Sequence, residues 1–260
     1  MATTTPGPGP LSAEALSELL ALTKQADTVE LKLTVPDAGS GFRSTVSALD
    51  IDPLDAQLRQ VFFLDTPDLL LNQHGVVVRA RRSQGRDDDS VVKLRPVVPS
   101  DLPPDLRKLP DFGVEVDALP GGFVCSASFK AKLGPAKVRP AALGQRPLRK
   151  LFTKGQRAFF AQHAPEGTDL DALTVLGPMN VLKLKFAPKG YARRLVAEMW
   201  LYPDGSRIVE LSTKCAPAEA FQVAAETRSF LHDRGVDTTG EQQTKTATAL
   251  AFFAREVRGD

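Results

Sequence analysis

Five stretches of the chain carry two charged residues two positions apart. They are Glu30 and Lys32 in TVELKLTV, Arg79 and Arg81 in VVVRARR, Lys93 and Arg95 in SVVKLRP, Glu115 and Asp117 in FGVEVDAL, and Lys183 and Lys185 in VLKLKF. In a strand, residues i and i+2 share a face. The residues between them are Leu31, Ala80, Leu94, Val116 and Leu184, so each strand has one charged and one apolar face. An open sheet turns such a charged face to water; a closed barrel turns it inward. Clustered inward Lys and Arg suit a polyanion, because charge-assisted hydrogen bonds to phosphoryl oxygens offset its charge and Arg makes them bidentately. The candidate phosphate ligands are Lys32, Arg79, Arg81, Lys93, Arg95, Lys183, Lys185 and Arg194. Carboxylates repel phosphate, so those on the same faces are expected to hold a hard divalent cation, Mg2+ or Mn2+. Glu30, Glu198 and Glu210 are the candidate metal ligands, beside Lys32, Arg194 and Lys214 respectively. Glu115 and Asp117 are expected to orient the lumen cations, with Lys214 in support. The ion would polarise a phosphoryl oxygen while the cations stabilise the leaving group.

The elements that position these residues follow from pattern and punctuation. Strands are expected at Thr28–Val35, Leu58–Leu64, Val76–Arg82, Ser90–Arg95, Gly113–Leu119, Asn180–Phe186, Ala192–Tyr202 and Ser206–Lys214, the last two joined by a Pro-Asp-Gly turn. Phe123–Leu133 reads as an extra hairpin. Pro96–Asp111 holds five prolines and reads as a loop. Asp65 is expected to cap the turn after its strand. Thr153 and Gln156 have the spacing of a capping box opening a helix to His163. Further helices are expected after a Ser12 cap to about Lys24, from Pro217 to Gly235, and from about Glu241 to Val257. Eight strands suffice for a closed barrel. The expectation is an α+β fold: a closed antiparallel eight-stranded barrel with helices packed outside. Its core then lies outside the barrel, with Trp200 and Phe221 read as core residues. Residues 1–10, rich in Pro, Gly and Thr, are expected to be a disordered tail. One domain is expected over 11–258, with an insertion around 96–150.

Composition narrows the function. Lys and Arg total 33 against 31 Asp and Glu, so any basic site is local and general nucleic-acid binding is not expected. Two cysteines and three histidines argue against a disulfide framework or a zinc site. No apolar run approaches the roughly 20 residues that span a bilayer, and the N-terminus has no signal-peptide pattern. A cytoplasmic protein without a membrane partner is the expectation.

VELKL, FFLDTPDLLLNQHGVVVRARR and VVKLRP together resemble the CYTH, or triphosphate tunnel metalloenzyme, superfamily. Its opening ExExK strand, Phe-Asp-Thr-like turn, Arg-x-Arg strand and Lys-bearing strand match most specifically over residues 28–95. The resemblance implies an antiparallel tunnel, a divalent metal and a small-molecule triphosphate or polyphosphate partner. The activity it implies is triphosphate hydrolysis; a class IV-type adenylyl cyclase and a non-catalytic polyphosphate- or nucleotide-binding module are the alternatives. The chain departs from the pattern at two places: Thr28 stands at the first Glu of ExExK, and Ser212 stands where a second Glu commonly follows Glu210. Each replaces a carboxylate by a hydroxyl, which implies weaker metal binding.

Overall fold

A computed structural model describes residues 13–35, 41–238 and 245–259. The disordered-tail expectation, the Ser12 cap and the helix start at Glu241 lie outside them. The elements in chain order are α1 (Ala13–Gln25), β1 (Thr28–Val35), α2 (Gly41–Ala48), β2 (Gln57–Asp65), α3 (Leu70–Gln73), β3 (Val76–Ser83), β4 (Asp88–Leu94) and α4 (Pro104–Arg107). There follow β5 (Phe112–Leu119), β6 (Gly122–Gly134), α5 (Val138–Ala142), α6 (Lys154–His163), β7 (Thr174–Phe186), β8 (Leu195–Leu201), β9 (Arg207–Cys215), α7 (Ala220–Asp233) and α8 (Lys245–Arg258).

The strands close into a barrel in the order β1-β5-β6-β4-β3-β2-β7-β8-β9. It has nine strands rather than eight, because the expected extra hairpin is a single 13-residue strand, β6, lying between β4 and β5. This odd number has a topological consequence. Strand directions cannot alternate all the way around a ring of nine, so one joint must be parallel. That joint is β1–β5, which pairs Thr28 with Glu115 and Glu30 with Asp117. Every other joint is antiparallel.

The period-two alternation sorts the side chains as the sequence pattern requires. Val76, Val78, Ala80, Val92, Val114 and Val116 point outward into a core with Val138, Ala141, Phe159 and Phe160 of α5 and α6. Val35, Val209 and Leu211 pack outward against Leu49 and against Leu231 of α7. Each such large side chain, removed from water, stabilises the fold by about 1.5–3 kcal/mol. A third cluster departs from the expectation of a wholly external core. Val61, Phe63, Met179, Val181, Trp200 and Ile208 occupy lumen-facing positions and are buried against Ala249, Leu250 and Phe253 of α8. The C-terminal helix therefore fills part of the barrel interior. Trp200 is buried there, whereas Phe221 is 49% exposed and is not a core residue.

Local chemistry holds the helices on the barrel. Thr153 and Gln156 form the capping box. The buried Gln156 amide also donates to the Ser90 and Phe129 carbonyls, stitching α6 to β4 and β6. Asp65 accepts from the backbone N–H groups of Thr66, Leu71 and Asn72, fixing the turn into α3. Gly75 has φ +71°, and a Cβ there would lie 2.8 Å from the Arg95 carbonyl oxygen. Glycine thus lets the backbone of Arg95 donate to the Gly75 carbonyl at 2.8 Å. Among the described residues no helix is long and apolar enough to cross a membrane.

Candidate functional site

All nine strands bring charged residues to the inner face of the barrel. Register links Lys183 to Glu198 and Glu198 to Glu210, and on β1 Glu30 to Lys214 and Lys32 to Ser212. On the opposite wall Arg79, Arg81 and Lys93 face inward from β3 and β4, with Lys130 and Lys132 from β6. Arg59 joins them from β2, two positions before the apolar Val61. Lys185 is on the same inner face but exposed. Arg194 precedes β8 instead of lying on it, because the strand begins at Leu195, and it too is exposed.

Asp117 is the hub of one charge cluster. Its side chain is 0% exposed; Lys32 lies 2.7 Å from Oδ1, and Arg95 and Lys93 lie 3.3 and 3.9 Å from Oδ2. Burial disfavours the Asp117 carboxylate, but the three cations outweigh it and hold the group down at about 2. Glu30, Glu115 and Asp117 each offer an oxygen within 4.8 Å of the others. Lys214 pairs with Glu115 and lies 3.7 Å from Glu30. The hydroxyls of Thr28 and Ser212 meet these acids. Thr28 donates to Glu115 at 3.3 Å and Ser212 donates to Glu30 at 3.2 Å.

Glu198 and Glu210 belong to a different cluster. Lys183 Nζ is 2.6 Å from Glu198 Oε1. Lys245, from α8, places its ammonium 2.5 Å from Glu198 Oε2 and 2.6 Å from Glu210 Oε1. Trp200 Nε1 donates to Glu198 at 3.3 Å, and the Lys245 ammonium stands 5.2 Å from the Trp200 ring centroid. Burial raises and the two lysines lower the Glu198 carboxyl, leaving it well below the usual carboxylate range.

The cations of the β3–β4 wall are less well matched. Arg81 donates from Nε to both oxygens of Asp89. Arg79 has no ion pair within contact among the described residues; burial and the neighbouring Arg81 push its guanidinium down to about 10. Burial also pushes Lys93 down, to about 8: the pull of Asp117 does not overcome it, and Lys32 and Arg95 repel the charge. A cavity of about 1060 Å³ opens beyond these residues at the β3–β4 hairpin end, lined among others by Arg59, Arg82, Arg86, Asp89 and Lys132. None of its lining residues is aromatic.

One of the two acidic groups has three carboxylates close enough together to hold a metal ion. Glu30, Glu115 and Asp117 converge, each offering one oxygen within 4.8 Å of the others. Lys245, Lys130, Lys132, Arg59 and Asp89 were not among the residues expected from sequence. Lys130 and Lys132 in SFKAKL carry the same i, i+2 signal as the five named pairs.

No protein-family model matches the chain, and no curated protein matches its sequence. Solved structures do match. A Hippeastrum adenylyl-cyclase candidate with a dominant triphosphatase activity superposes with a TM-score of 0.62 at 16% identity, covering 85% of this chain and 94% of that one. An adenylate-cyclase candidate from Bacillus halodurans gives a TM-score of 0.57 at 14% identity, covering 85% and 98%. At these identities the likeness is one of fold: the chain shares the overall fold of these proteins.

Proposed function

We propose that the barrel lumen binds a linear triphosphate or polyphosphate and hydrolyses it with Mg2+ or Mn2+ held by Glu30, Glu115 and Asp117. The observation that carries this reading is the unmatched cation wall. Arg79 is half-buried and has no ion pair among the described residues, and Lys93 is held at the limit of one. A charge partly withdrawn from water without a close counter-ion is costly. It is retained where a ligand supplies the missing charge.

The residues divide the work by position. Arg79, Lys93 and Lys130 face the lumen with capacity to spare and take the phosphoryl oxygens. Lys32 and Arg95 are oriented by Asp117, which keeps them extended into the lumen. When bound, a divalent ion at Glu30, Glu115 and Asp117 supplies Lewis-acid polarisation of a phosphoryl oxygen. Lys93 stands beside this acidic group and offers its ammonium to charge developing on the leaving oxygen. The open cavity at Arg59 and Lys132 supports entry from that end, since α8 fills part of the interior elsewhere. Its lining has no aromatic side chain to stack a nucleobase, which favours an inorganic chain over the cyclase reading.

A panel of tripolyphosphate, longer polyphosphate, ATP and thiamine triphosphate, each with Mg2+ and Mn2+, tests the proposal. Phosphate release from the inorganic chains supports it. Cyclic AMP formation from ATP would replace it with the cyclase reading, and binding without turnover with the binding-module reading.

A further inference from the structure

We infer that Lys245 is a built-in counter-cation: its ammonium occupies the place between Glu198 and Glu210 that a metal ion would otherwise take. The two glutamates are register partners on β8 and β9, so their carboxylates lie side by side facing the lumen. Their side chains are only 14% and 5% exposed. Two buried neighbouring carboxylates repel one another, and a cation must lie between them or one must take up a proton. Lys245 meets that need from an element remote in sequence. It contacts both glutamates at 2.5 and 2.6 Å, is itself 12% exposed, and is backed by the Trp200 ring.

With Lys183 on the other oxygen of Glu198, two ammonium groups balance two carboxylates. The bridging ammonium fills the space between the two facing carboxylates that a divalent ion would need. The ammonium is also not on a loose tether. Ala249, Leu250 and Phe253, on the same helix, are buried among the lumen-facing apolar residues and fix where Lys245 sits. The lumen's carboxylates thus form two groups: Glu30, Glu115 and Asp117, whose oxygens converge within 4.8 Å, and the Glu198–Glu210 pair, bridged by one ammonium. This inference does not depend on which substrate the lumen takes, and it is read by ion binding rather than by turnover.

The test counts Mn2+ ions bound per chain, by electron paramagnetic resonance of free Mn2+ and by calorimetry, with thermal melts as the check on folding. In the wild-type protein, Glu198→Gln should leave the number of bound Mn2+ ions unchanged. Lys245→Met should gain one ion per chain, and adding Glu198→Gln to it should remove that ion again. Loss of an ion from the wild-type background on Glu198→Gln would overturn the inference, whether or not the Lys245 variant folds. So would an unchanged count in a folded Lys245→Met protein.

Discussion

Lys93 Nζ stands 3.9 Å from Asp117 Oδ2, while Lys32 takes the other oxygen of the same carboxylate at 2.7 Å. One buried acid thus serves two lysines unequally, and their titrations diverge. Burial lowers both, but Asp117, Glu30 and Glu210 together raise Lys32 above its ordinary value. Lys93 falls to about 8.

Polyanion binding should therefore weaken as pH rises through about 8, where Lys93 loses its proton. Calorimetry with tripolyphosphate at pH 7 and pH 9.5 should show a drop on the order of tenfold. In Lys93→Met that step should vanish. The stability term has the opposite sense. The folded pKa lies below the unfolded value of 10.5, so the unfolded chain binds more protons between them and the Lys93 contribution becomes more favourable as pH rises through that window. Urea titrations of wild type and Lys93→Met across the same range give that difference.

Asp117→Asn should be among the most destabilising single changes in the lumen. It removes the shared partner of Lys32, Lys93 and Arg95 and leaves three cations facing one another. Breaking a buried pair in this way costs about 3–5 kcal/mol. Chemical denaturation measures it, and added tripolyphosphate should recover part of the loss.

Thr28→Glu should tighten Mg2+ or Mn2+ binding and raise any triphosphatase rate. The new carboxylate would lie beside Glu115, which Thr28 now contacts at 3.3 Å, and near Glu30. Without metal the same variant should melt at a lower temperature, because it adds a like charge to the acidic group. Melting curves with and without Mn2+ separate the two effects.

The alternation in VELKL, VVVRARR and VVKLRP made the inner face legible, because a one-residue slip would have buried Arg79 and Lys93 in the outer core. Thr153, Gln156 and Asp65 were legible for the same local reason: a cap is a short-range pattern. The grouping of the carboxylates was not. Glu30 meets Asp117 through the parallel β1–β5 joint, which exists because β6 is one long strand and the ring is odd-numbered. No local pattern carries that. Lys245 was hidden differently, since one lysine in a helical segment gives no sign that the helix enters the barrel. Arg194 and Phe221 were misplaced by boundary and face, where a strand end and an exposed helix side depend on what packs nearby.

The most direct measurement of the central claim is tripolyphosphate binding by calorimetry to wild type and Arg79→Met, with thermal melts alongside. Removing a half-buried, unmatched guanidinium should leave the melting temperature unchanged or higher. It should weaken binding by about 1.5–3 kcal/mol, roughly ten- to a hundredfold, as expected for a lost hydrogen bond to a charged group. Equal affinity in the two proteins, or no affinity in the wild type, would contradict the account.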